Sequence, residues 1–544
     1  MGQSVILTGF MGTGKTVVGQ ELGRRLGLPF VDMDAEIEAR AGKSIRRIFS
    51  EEGEPTFRQL ENRVCEELAT GCLRSELAEG AVIATGGGAL VNPENLSLMR
   101  KRGLVICLDT SAEEIVRRLG DGATRPLLNV PDPRAEIEGL LSARREAYET
   151  IAWHIDTTHL SVEQTVRRVL SLVEAIPLTV RYPGGTYKIR IGNGLLSHVG
   201  GSLRATGIPA GTRVAIVSND VVAPLYASQV EEALRISGLQ PLLCVIPDGE
   251  AYKTVTTATS LYKQLLAGGL DRDGVVLSLG GGVTGDIAGF VAATFMRGIQ
   301  FAQAPTSLLA MVDASVGGKT GVDLPEGKNL VGTFKQPACV TIDPAVLATL
   351  RKDELRSGMA EVIKHGVIGD PGLFIELAAR GRESRGIDAL PTITADQIAQ
   401  ALRVKIDIVE EDPYERGRRA VLNLGHTVGH ALETLSSFRL RHGEAVSIGM
   451  VAAARIAVTM GVAEPSVTEQ LGAVLTDWGL PVRCAIPGRS RLQADGIWRS
   501  MAHDKKRRRG RLRWVLPSSI GEVTIRDDVG KEVVLAVLRD MGAM

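Results

Sequence analysis

A glycine-rich segment near the N-terminus contains the residue types that hold a nucleotide phosphate. The segment Gly9-Phe10-Met11-Gly12-Thr13-Gly14-Lys15-Thr16 fits G-x-x-x-x-G-K-[ST] at every fixed position. It lies between an apolar run at residues 5–7, which predicts a strand, and a run with helical spacing. Backbone N–H groups of such a loop cradle phosphates, while the lysine reaches the β- and γ-phosphates. The sequence therefore predicts a nucleotide site formed by Gly12, Thr13, Gly14, Lys15, Thr16 and Val17.

Two acidic residues follow the second strand-like run of the chain. Asp32 and Asp34 stand at the carboxyl end of that run, where ligands bind in α/β sheets. Asp32 could support a Mg²⁺ ion held by the Thr16 hydroxyl, and Asp34 could hold or deprotonate an acceptor hydroxyl. The same residues could instead cap the helix that begins after them. Both readings stay open from these residues alone.

Three separate arginines and a triple glycine complete the pattern of a small kinase. Gly86-Gly87-Gly88 follows the third strand-like run and allows a ligand to approach the backbone closely. Arg58, Arg125 and Arg144 are spread over the rest of the segment. One arginine can clamp an acceptor carboxylate with two hydrogen bonds, and another can cover the transferring phosphoryl group.

Strand-like and helical runs alternate over the first 170 or so residues, which predicts a parallel sheet with helices on both sides. The phosphate loop, Asp32-Met33-Asp34, Phe57-Arg58-Gln59-Leu60-Glu61, the triple glycine, Arg125-Pro126-Leu127-Leu128 and Arg144 with Tyr148 together resemble shikimate kinase. The resemblance implies ATP with Mg²⁺ on Thr16 and Asp32, and a lid carrying Arg125 over ATP. It implies catalytic roles for Lys15, Asp34 and Arg125, and shikimate on Asp34, Arg58, Gly87 and Arg144. One departure is Arg145-Glu146-Ala147, where the family more often has a proline-containing segment.

A second group of chemically active residues lies far downstream. Four of the eight histidines fall in three segments, around Glu361, at Asn423-Leu424-Gly425-His426-Thr427-Val428-Gly429-His430, and at His442-Gly443-Glu444. One carboxylate with two imidazoles forms a catalytic zinc set that leaves a coordination position open. His426 and His430 are one helical turn apart, so both could bind the ion. Glu361, His426 and His442 form an equally valid set.

A glycine fingerprint precedes this group. A strand-like run at 275–279 continues into Gly280-Gly281-Gly282-Val283-Thr284-Gly285-Asp286, which fits G-x-G-x-x-G and predicts a dinucleotide on a helix N-terminus. The usual ribose-binding acid about twenty residues later is missing. Spread through the same region are cations suited to a small substrate with phosphate and carboxylate groups: Arg297, Lys319, Lys328, Lys364, Lys405, Arg419, Lys505 and Lys506.

These segments, in this order, resemble 3-dehydroquinate synthase over residues 178–544. The shared motifs are Asp248-Gly249-Glu250-x-x-Lys253, residues 280–286, Gly317-Gly318-Lys319-Thr320, Gly327-Lys328-Asn329, Met359-Ala360-Glu361-Val362-x-Lys364, and Asn423-x-Gly425-His426-x-x-Gly429-His430. The resemblance implies a Zn²⁺ or Co²⁺ ion on Glu361, His426 and His442, with His430 as a substrate or proton-relay contact. It implies catalytic roles for Lys319, Lys364, Lys405, His430 and Asp313.

The same resemblance implies two binding sets. NAD⁺ would be bound by Asp248, Gly249, Glu250, Lys253, Gly281, Gly282, Val283, Gly285, Asp286, Thr306, Ser307, Lys319 and Lys328. The phosphorylated heptulosonate would be bound by Arg297, Asn329, Arg419, Asn423, Lys505 and Lys506. In this family NAD⁺ accepts a hydride and returns it, so the dinucleotide is not consumed.

Composition limits the other classes of function. Lys+Arg and Asp+Glu both number 63, which argues against a general nucleic-acid or membrane-surface binder. The six cysteines are scattered without C-x-x-C, and neither a signal-peptide pattern nor a long apolar run is visible, so we expect a cytoplasmic protein. We also expect a homodimer through the synthase-like part.

The chain length and pattern predict three folded parts. Helical spacing changes to strand alternation near 172–178, which marks a boundary. The predicted parts are a P-loop kinase domain at 1–172, a Rossmann-like α/β subdomain at 178–343 and a mainly α-helical metal-binding subdomain at 344–544. A competing hypothesis keeps the first part as a nucleotide-sensing module on a zinc- and NAD-dependent alcohol dehydrogenase. The many cations argue against it, because a simple polyol has no charge to pair.

Overall fold

The structure is a computed structural model that describes residues 4–119, 132–383, 392–437, 439–484, 492–505 and 512–544. The chain forms two compact units. The first comprises Met1–Ala175, Gly194–Val214 and Ser228–Leu242, and the second comprises Ile176–Asn193, Ala215–Ala227 and Leu243–Met544. Across the described ranges, no helix combines the length and apolar character needed to cross a membrane.

The first unit is built on a five-stranded parallel sheet. Its strands are β1 (Ser4–Thr8), β2 (Phe30–Asp32), β3 (Val82–Ala84), β4 (Gly103–Asp109) and β5 (Trp153–Asp156), in the order β2-β3-β1-β4-β5. All four neighbouring pairs are parallel. The carboxyl ends of the strands therefore meet at one edge, where the predicted kinase residues follow them.

Alternate residues of each strand point to opposite faces, and each face has its own apolar core. The helices are α1 (Lys15–Leu26), α2 (Met33–Ala41), α3 (Ile45–Thr70), α4 (Pro93–Arg102), α5 (Ala112–Leu119), α6 (Pro133–Glu149) and α7 (Val162–Val173). Ile6 and Ile83 pack on one face with α2, α3 and α4, whereas Val5, Leu7 and Val82 pack on the other with α1 and α7. The predicted sheet with helices on both sides is confirmed.

The first unit also includes a segment from beyond the predicted boundary. Leu195 belongs to the same apolar core as Val5 and Trp153. Gly201 lies against the Trp153 indole so closely that a Cβ would come within 2.5 Å of the ring. The segment that contains Leu195 and Gly201 therefore completes one face of this core.

The second sheet has seven strands in the order β6-β7-β14-β11-β10-β8-β9. The pairs β7–β14, β14–β11 and β11–β10 are parallel, and β6 pairs antiparallel with β7. The strands are β6 (Ile176–Tyr182), β7 (Gly185–Ile191), β8 (Arg213–Asn219), β9 (Gln240–Ile246), β10 (Val275–Gly280), β11 (Gln300–Pro305) and β14 (Cys339–Ile342), and β12 (Lys319–Leu324) with β13 (Gly327–Phe334) forms a separate hairpin. The helices between β7 and β11 along the chain are α8 (Val199–Arg204), α9 (Ala223–Ile236), α10 (Val255–Ala267) and α11 (Gly282–Thr294).

The remainder of the second unit is mainly helical, as predicted. Its helices are α12 (Lys352–Gly369), α13 (Pro371–Glu383), α14 (Ala395–Glu411), α15 (His426–Leu435), α16 (His442–Thr459), α17 (Pro465–Asp477), α18 (Ala494–Lys505) and α19 (Lys531–Asp540). Helix α12 is buried along residues 357–368 and packs against α14 and α16. A short antiparallel pair, β15 (Trp514–Ser519) and β16 (Glu522–Arg526), lies near the end of the chain.

Several strands were not predicted from the sequence, and β5 and β6 show why. Strand β5 has the alternating sequence Trp-His-Ile-Asp, but four residues are too few for that alternation to stand out after the helix before it. Strand β6 begins at Ile176, inside the stretch predicted as the join, because Pro177 and Pro183 there suggest a linker. Strand β6 lies at the edge of the sheet, where a proline that cannot donate a hydrogen bond is tolerated.

Close packing of α15 on α16 gives a stability prediction. A Cβ at Gly449 would lie 1.9 Å from the Gly425 carbonyl oxygen, whereas a Cβ at Gly472, in α17, would meet nothing within 4 Å. We expect Gly449→Ala to lower the free energy of unfolding by about 1–3 kcal/mol through overpacking. Gly472→Ala should be neutral or raise it by up to about 1 kcal/mol, because alanine favours helix. Thermal midpoints measured by circular dichroism would compare the two, and equal midpoints would contradict this packing.

Candidate active sites

The glycine-rich loop forms an open turn between β1 and α1. Gly9, Gly12 and Gly14 have positive φ angles of 129°, 79° and 95°. A Cβ at Gly9 would lie 2.1 Å from the Leu108 carbonyl oxygen, so only glycine fits there. The Lys15 ammonium donates to the Gly9 and Phe10 carbonyls at 2.9 and 2.8 Å, which curls its side chain back over the loop. The loop thus holds backbone N–H groups and one ammonium in the arrangement that binds phosphate.

An open cleft adjoins this loop. Thr13, Gly14 and Val17 line it together with residues 157–162 and Arg118. Arg118, which the sequence analysis did not single out, donates to the Gly12 carbonyl at 3.2 Å and the Thr157 carbonyl at 2.6 Å. Its only sequence signal is its position on a helix that follows β4.

Asp32 caps a helix with one oxygen and contacts Thr16 with the other. Its Oδ1 accepts from the backbone N–H groups of Asp34 and Ala35 at 3.1 and 3.4 Å, which caps α2. Its Oδ2 accepts from the Thr16 hydroxyl at 2.8 Å. A hydroxyl and a carboxylate side by side at the loop are oxygen donors of the kind that Mg²⁺ prefers, so these residues fit the ion.

The predicted acceptor residues meet around the triple glycine. A Cβ at Gly86 would lie 2.7 Å from Asp34 Oδ1, and one at Gly88 would lie 2.7 Å from Arg58 Nη1. The Gly87 carbonyl accepts from Arg144 Nη1 at 3.1 Å and from the Tyr148 hydroxyl at 2.5 Å. The structure therefore places one carboxylate and two guanidinium groups within reach of a small polar molecule over the glycines.

A buried acid supports this pocket. Glu61 Oε2 accepts from Arg58 Nη1 at 2.7 Å, and its side chain is only 3% exposed. Because Glu61 is buried in the core, its ion pair with Arg58 fixes the guanidinium in place beside the glycines. In the sequence, Glu61 is part of a motif, but its spacing predicts no role for it.

In the second unit, a buried carboxylate lies among imidazoles. One donor atom each from Glu361 (on α12), His426 (first residue of α15) and His442 (first residue of α16) lie within 4.8 Å of one another. Glu361 Oε1 is 3.4 Å from His442 Nε2 and 3.8 Å from His426 Nε2. Both oxygens of Glu361 are buried without a hydrogen bond. One carboxylate oxygen and two imidazole nitrogens that converge in this way fit a catalytic zinc ion.

The charges around Glu361 hold it ionised. Burial opposes its negative charge, but the Lys364 ammonium, with which it forms an ion pair, and the two imidazoles keep the pKa of its carboxyl well below the usual range. Burial, with the nearby Lys364 charge, lowers the pKa of the His426 imidazole well below its ordinary value. A neutral imidazole is the form that binds a metal ion.

A second donor set, His430, Glu433 and His442, shares His442 with the first. His430 is exposed, and its ring centroid is 5.2 Å from that of His426. Glu433 Oε1 lies 3.5 Å from His442 Nδ1, the nitrogen that faces away from Glu361. A carboxylate behind a histidine in this way fixes ring orientation in metal sites. Glu433 was missed by the sequence analysis, although it lies one turn after His430 on the same helix.

Several predicted substrate cations are paired with acids beside this cluster. Lys405 Nζ lies 2.6 Å from Asp313 Oδ1, and burial lowers the pKa of Lys405 below its ordinary value despite that partner. Lys319 pairs with Glu415, which also accepts from Asn423 Nδ2 at 3.3 Å. Arg419 donates to the Gly317 and Pro413 carbonyls. Glu415 was not predicted, and nothing in its spacing singles it out.

The glycine fingerprint opens α11 as expected. Gly281 is the residue before the helix, Gly282, Val283, Gly285 and Asp286 lie in its first turns, and the Thr306 N–H donates to the Gly280 carbonyl at 3.0 Å. Lys253 Nζ lies 2.5 Å from Asp286 Oδ2 and donates to Asn329 Oδ1 at 2.6 Å. Asp248 accepts from Asn219 at 2.5 Å, and Lys328 pairs with Glu250 at 3.2 Å. Predicted dinucleotide residues from four segments thus meet at one place.

Backbone strain marks some of the same residues. Arg297, Asn329 and Glu415 have φ angles of 70°, 53° and 55°, which side-chain-bearing residues rarely adopt. Such strain concentrates at ligand sites because surrounding contacts must enforce it. Within the described ranges, Arg297 makes no hydrogen bond or ion pair with the other predicted residues. Arg125 and Lys506 lie outside the described residues, as does the side chain of Lys505.

Comparison with known proteins agrees with this layout. The family models that match are Shikimate kinase at residues 11–174, 3-dehydroquinate synthase N-terminal at 243–357 and 3-dehydroquinate synthase C-terminal at 358–507. The chain is 43% identical to the 3-dehydroquinate synthase of Crocosphaera subtropica over 369 residues, which cover 67% of this chain and 98% of that protein. It is 45% identical to that of Geobacter metallireducens over 351 residues, 64% of this chain and 94% of that protein.

A solved structure gives the same picture for the second part of the chain. The 2-epi-5-epi-valiolone synthase ValA of Streptomyces hygroscopicus subsp. jinggangensis, with NAD⁺ and Zn²⁺ bound, is 28% identical with a TM-score of 0.59. The match covers 65% of this chain and 96% of that one. The chain therefore belongs to the 3-dehydroquinate synthase family and carries a shikimate kinase domain ahead of the synthase.

Proposed function

We propose that this chain catalyses two reactions of the shikimate pathway at two separate sites. One is the ATP-dependent phosphorylation of shikimate to shikimate 3-phosphate, and the other converts 3-deoxy-D-arabino-heptulosonate 7-phosphate into 3-dehydroquinate and phosphate. The observation that carries the proposal is that each unit brings together a donor set of its own. The first unit has a phosphate loop beside a carboxylate–guanidinium pocket, and the second has Glu361, His426 and His442 within 4.8 Å.

In the kinase, the shikimate hydroxyl oxygen would attack the γ-phosphorus of ATP while Asp34 accepts the hydroxyl proton. The bond between the γ-phosphorus and the ADP oxygen would break. Arg58 and Arg144 would bind the shikimate carboxylate, beside the Gly87 backbone. Lys15 would neutralise charge on the β- and γ-phosphates. Thr16 and Asp32 would hold Mg²⁺, and Arg125 would cover ATP from the segment beyond α5.

In the synthase, NAD⁺ would take and return a hydride, and Zn²⁺ or Co²⁺ on Glu361, His426 and His442 would lower the pKa of a substrate hydroxyl. The chain's own residues bind and orient. Asp313 and Asn329 would orient hydroxyls, and His430, at the exposed side of the cluster, would move a proton. The remaining residues would hold the charged substrate groups: Lys319, Lys364, Lys405, Arg297, Arg419, Asn423, Lys505 and Lys506.

The residues assigned to NAD⁺ divide into two groups. Gly281, Gly282, Val283 and Gly285 would face the pyrophosphate at the start of α11. The others would surround the rest of the dinucleotide: Asp248, Gly249, Glu250, Lys253, Asp286, Thr306, Ser307, Lys319 and Lys328. Lys253 contacts both Asp286, assigned to NAD⁺, and Asn329, assigned to the heptulosonate phosphate. These contacts support placing the dinucleotide next to the heptulosonate phosphate.

The alternative, a simple polyol dehydrogenase with a nucleotide-sensing module, fits the site less well. Lys364, Lys405 and Arg419 are buried, and burying a cation is costly unless a ligand or acid compensates its charge. Lys364 and Lys405 pair with Glu361 and Asp313, but Arg419 donates to the Gly317 and Pro413 carbonyls. A substrate with phosphate and carboxylate groups would compensate the Arg419 charge, whereas a neutral polyol would not.

Three further features stay predictions. We propose domains at 1–172, 178–343 and 344–544, a cytoplasmic location, and a homodimer through the synthase part. Strand β9 supports the dimer, because it is the last strand of its sheet and exposes Leu243 and Val245 by 37% and 40%. Light scattering of the purified chain would measure its mass, and a monomer at micromolar concentration would overturn the dimer.

The two sites should fail separately. Lys15→Met should abolish shikimate-dependent ADP release, because the ammonium over the phosphate loop is lost, and should leave phosphate release from the heptulosonate phosphate unchanged. His442→Ala should do the reverse. Coupled assays for both activities on each purified variant would measure this. Loss of both activities in a folded single variant would contradict independent sites.

Metal content should distinguish the two sets of ligands that the sequence allowed. Chelator treatment and desalting should remove synthase activity, which added Zn²⁺ restores, while kinase activity assayed with Mg²⁺ is unaffected. Glu361→Gln and His442→Ala should bind zinc at least about tenfold more weakly, because each loses a direct ligand.

His430→Ala is the matched control for that experiment, since it removes an imidazole from the same cluster. It should retain zinc, as measured by plasma mass spectrometry, and lose synthase rate. A zinc-free His430→Ala protein with zinc retained in His442→Ala would show that His426 and His430 are the ligands.

A further inference from the structure

Both ring nitrogens of His154 make hydrogen bonds, although His154 belongs to neither of the proposed sites. It lies on β5, with its side chain 10% exposed, and its Nδ1 is 2.6 Å from Asp109 Oδ2 at the end of β4. Its Nε2 is 3.0 Å from the Ile151 carbonyl oxygen and 3.2 Å from that of Tyr148. Carbonyls and carboxylates only accept hydrogen bonds, so both nitrogens must donate. This geometry requires the doubly protonated imidazolium.

The same geometry argues against a metal site at this point. Cys107, Asp109 and His154 bring donor atoms within 4.8 Å of one another. A metal ligand needs a lone pair on a ring nitrogen, and both nitrogens of His154 already carry protons directed at oxygens. Cys107 Sγ lies 3.4 Å from Asp109 Oδ1, as a thiol donor would. The cluster is therefore a hydrogen-bonded chain of side chains.

The carbonyls that His154 holds belong to the end of α6. That helix ends at Glu149, so the Tyr148 and Ile151 carbonyls belong to its last turn and the turn after it. A cation at a helix C-terminus is stabilising, because the carbonyls there carry partial negative charge. The same end of α6 carries Arg144 and Tyr148, which both donate to the Gly87 carbonyl. His154 thus connects β4 to the helix that reaches the acceptor pocket.

We propose that the His154 imidazolium, paired with Asp109, is a positioning residue that holds the end of α6 so that Arg144 and Tyr148 engage Gly87 beside the acceptor. This inference rests on the proposed binding of shikimate by Arg144 and Gly87. Its consequence is specific: His154 sets the affinity for the acceptor and leaves ATP binding and the second unit unaffected.

The charges that face His154 determine the direction of its pH dependence. Asp109 and Cys107 lie beside it on β4, and the Tyr148 carbonyl faces it from α6. Arg144 acts on the Tyr148 hydroxyl, and Lys15 acts on Cys107 from α1. Burial lowers the pKa of the His154 imidazole, but Asp109 and the two carbonyls outweigh burial and hold it above the ordinary value. Its contribution is therefore complete at pH below the ordinary histidine value and is lost as pH rises through the raised pKa. Acceptor binding should weaken over that alkaline window.

Steady-state kinetics on the full chain test this positioning role. His154→Ala should raise the KM for shikimate about tenfold, the scale of one charged hydrogen bond, with the KM for ATP unchanged. His154→Gln keeps an N–H donor without a titrating charge, so its shikimate KM should fall between the two and stay flat with pH. In the parent chain, the shikimate KM should rise with pH across the histidine titration.

Arg100→Ala is the matched control. Arg100 donates to the Thr150 carbonyl, in the same turn after α6, from an exposed position and without Asp109. Its variant should leave the shikimate KM and its pH profile as in the parent. Synthase activity of each variant, measured on the same sample, reports that the chain is folded.

An unchanged shikimate KM in a folded His154→Ala chain, or a pH profile that His154→Gln retains, would overturn the positioning role. A lower melting temperature with unchanged KM would likewise assign His154 a merely structural role. Absence of any shikimate-dependent ATP use in the parent chain is a different result, since it would overturn the proposed function itself.

Discussion

The second half of the molecule depends on one buried carboxylate. Glu361 lies on α12 with its side chain 0% exposed, and neither oxygen has a hydrogen bond. An isolated buried charge would cost several kcal/mol or more, so cations must surround it. Lys364 on the same helix and His426 and His442 on two others supply them. The packing of α12 against α16, and of α15 on α16 through Gly425 and Gly449, is therefore also what assembles the site.

In the first half of the molecule, backbone N–H groups prepare a site for a negatively charged ligand. There the charge arrives with the ligand, and the protein prepares for it with glycine-permitted turns, N–H groups and the Lys15 ammonium. Asp32 shows how tightly this is built, since one oxygen caps α2 and the other bonds Thr16. The first site thus relies on backbone N–H groups and the second on a buried carboxylate with surrounding cations. Neither site needs a residue of the other's donor set.

Local motifs were readable from the sequence because their geometry is local. The phosphate loop is a strand, a turn and a helix in succession, so its residues and its strand context could be predicted together. The fold class followed from alternating runs in the same way. The zinc set was different: His426 and His430 are one turn apart, whereas the contact of Glu361 with His442 exists only when α12 packs against α16. Spacing alone left both sets open, and the resemblance to a family chose between them.

What the sequence could not supply are the partners that orient these residues. Glu433 behind His442, Glu415 on Lys319 and His154 on the end of α6 depend on tertiary contacts between distant segments. Strand β5, which carries His154, was missed because four residues give too little periodicity. Glu415 adopts positive φ, a conformation that a glutamate in the sequence does not predict.

Anomalous diffraction at the zinc edge, from crystals of the full chain loaded with zinc, tests the central claim most directly. The account predicts one strong peak, about 2.0–2.2 Å from a Glu361 oxygen and from the Nε2 atoms of His426 and His442. It predicts no peak among Cys107, Asp109 and His154. A peak bound by His426 and His430 without Glu361, or one at the Cys107 cluster alone, would contradict it.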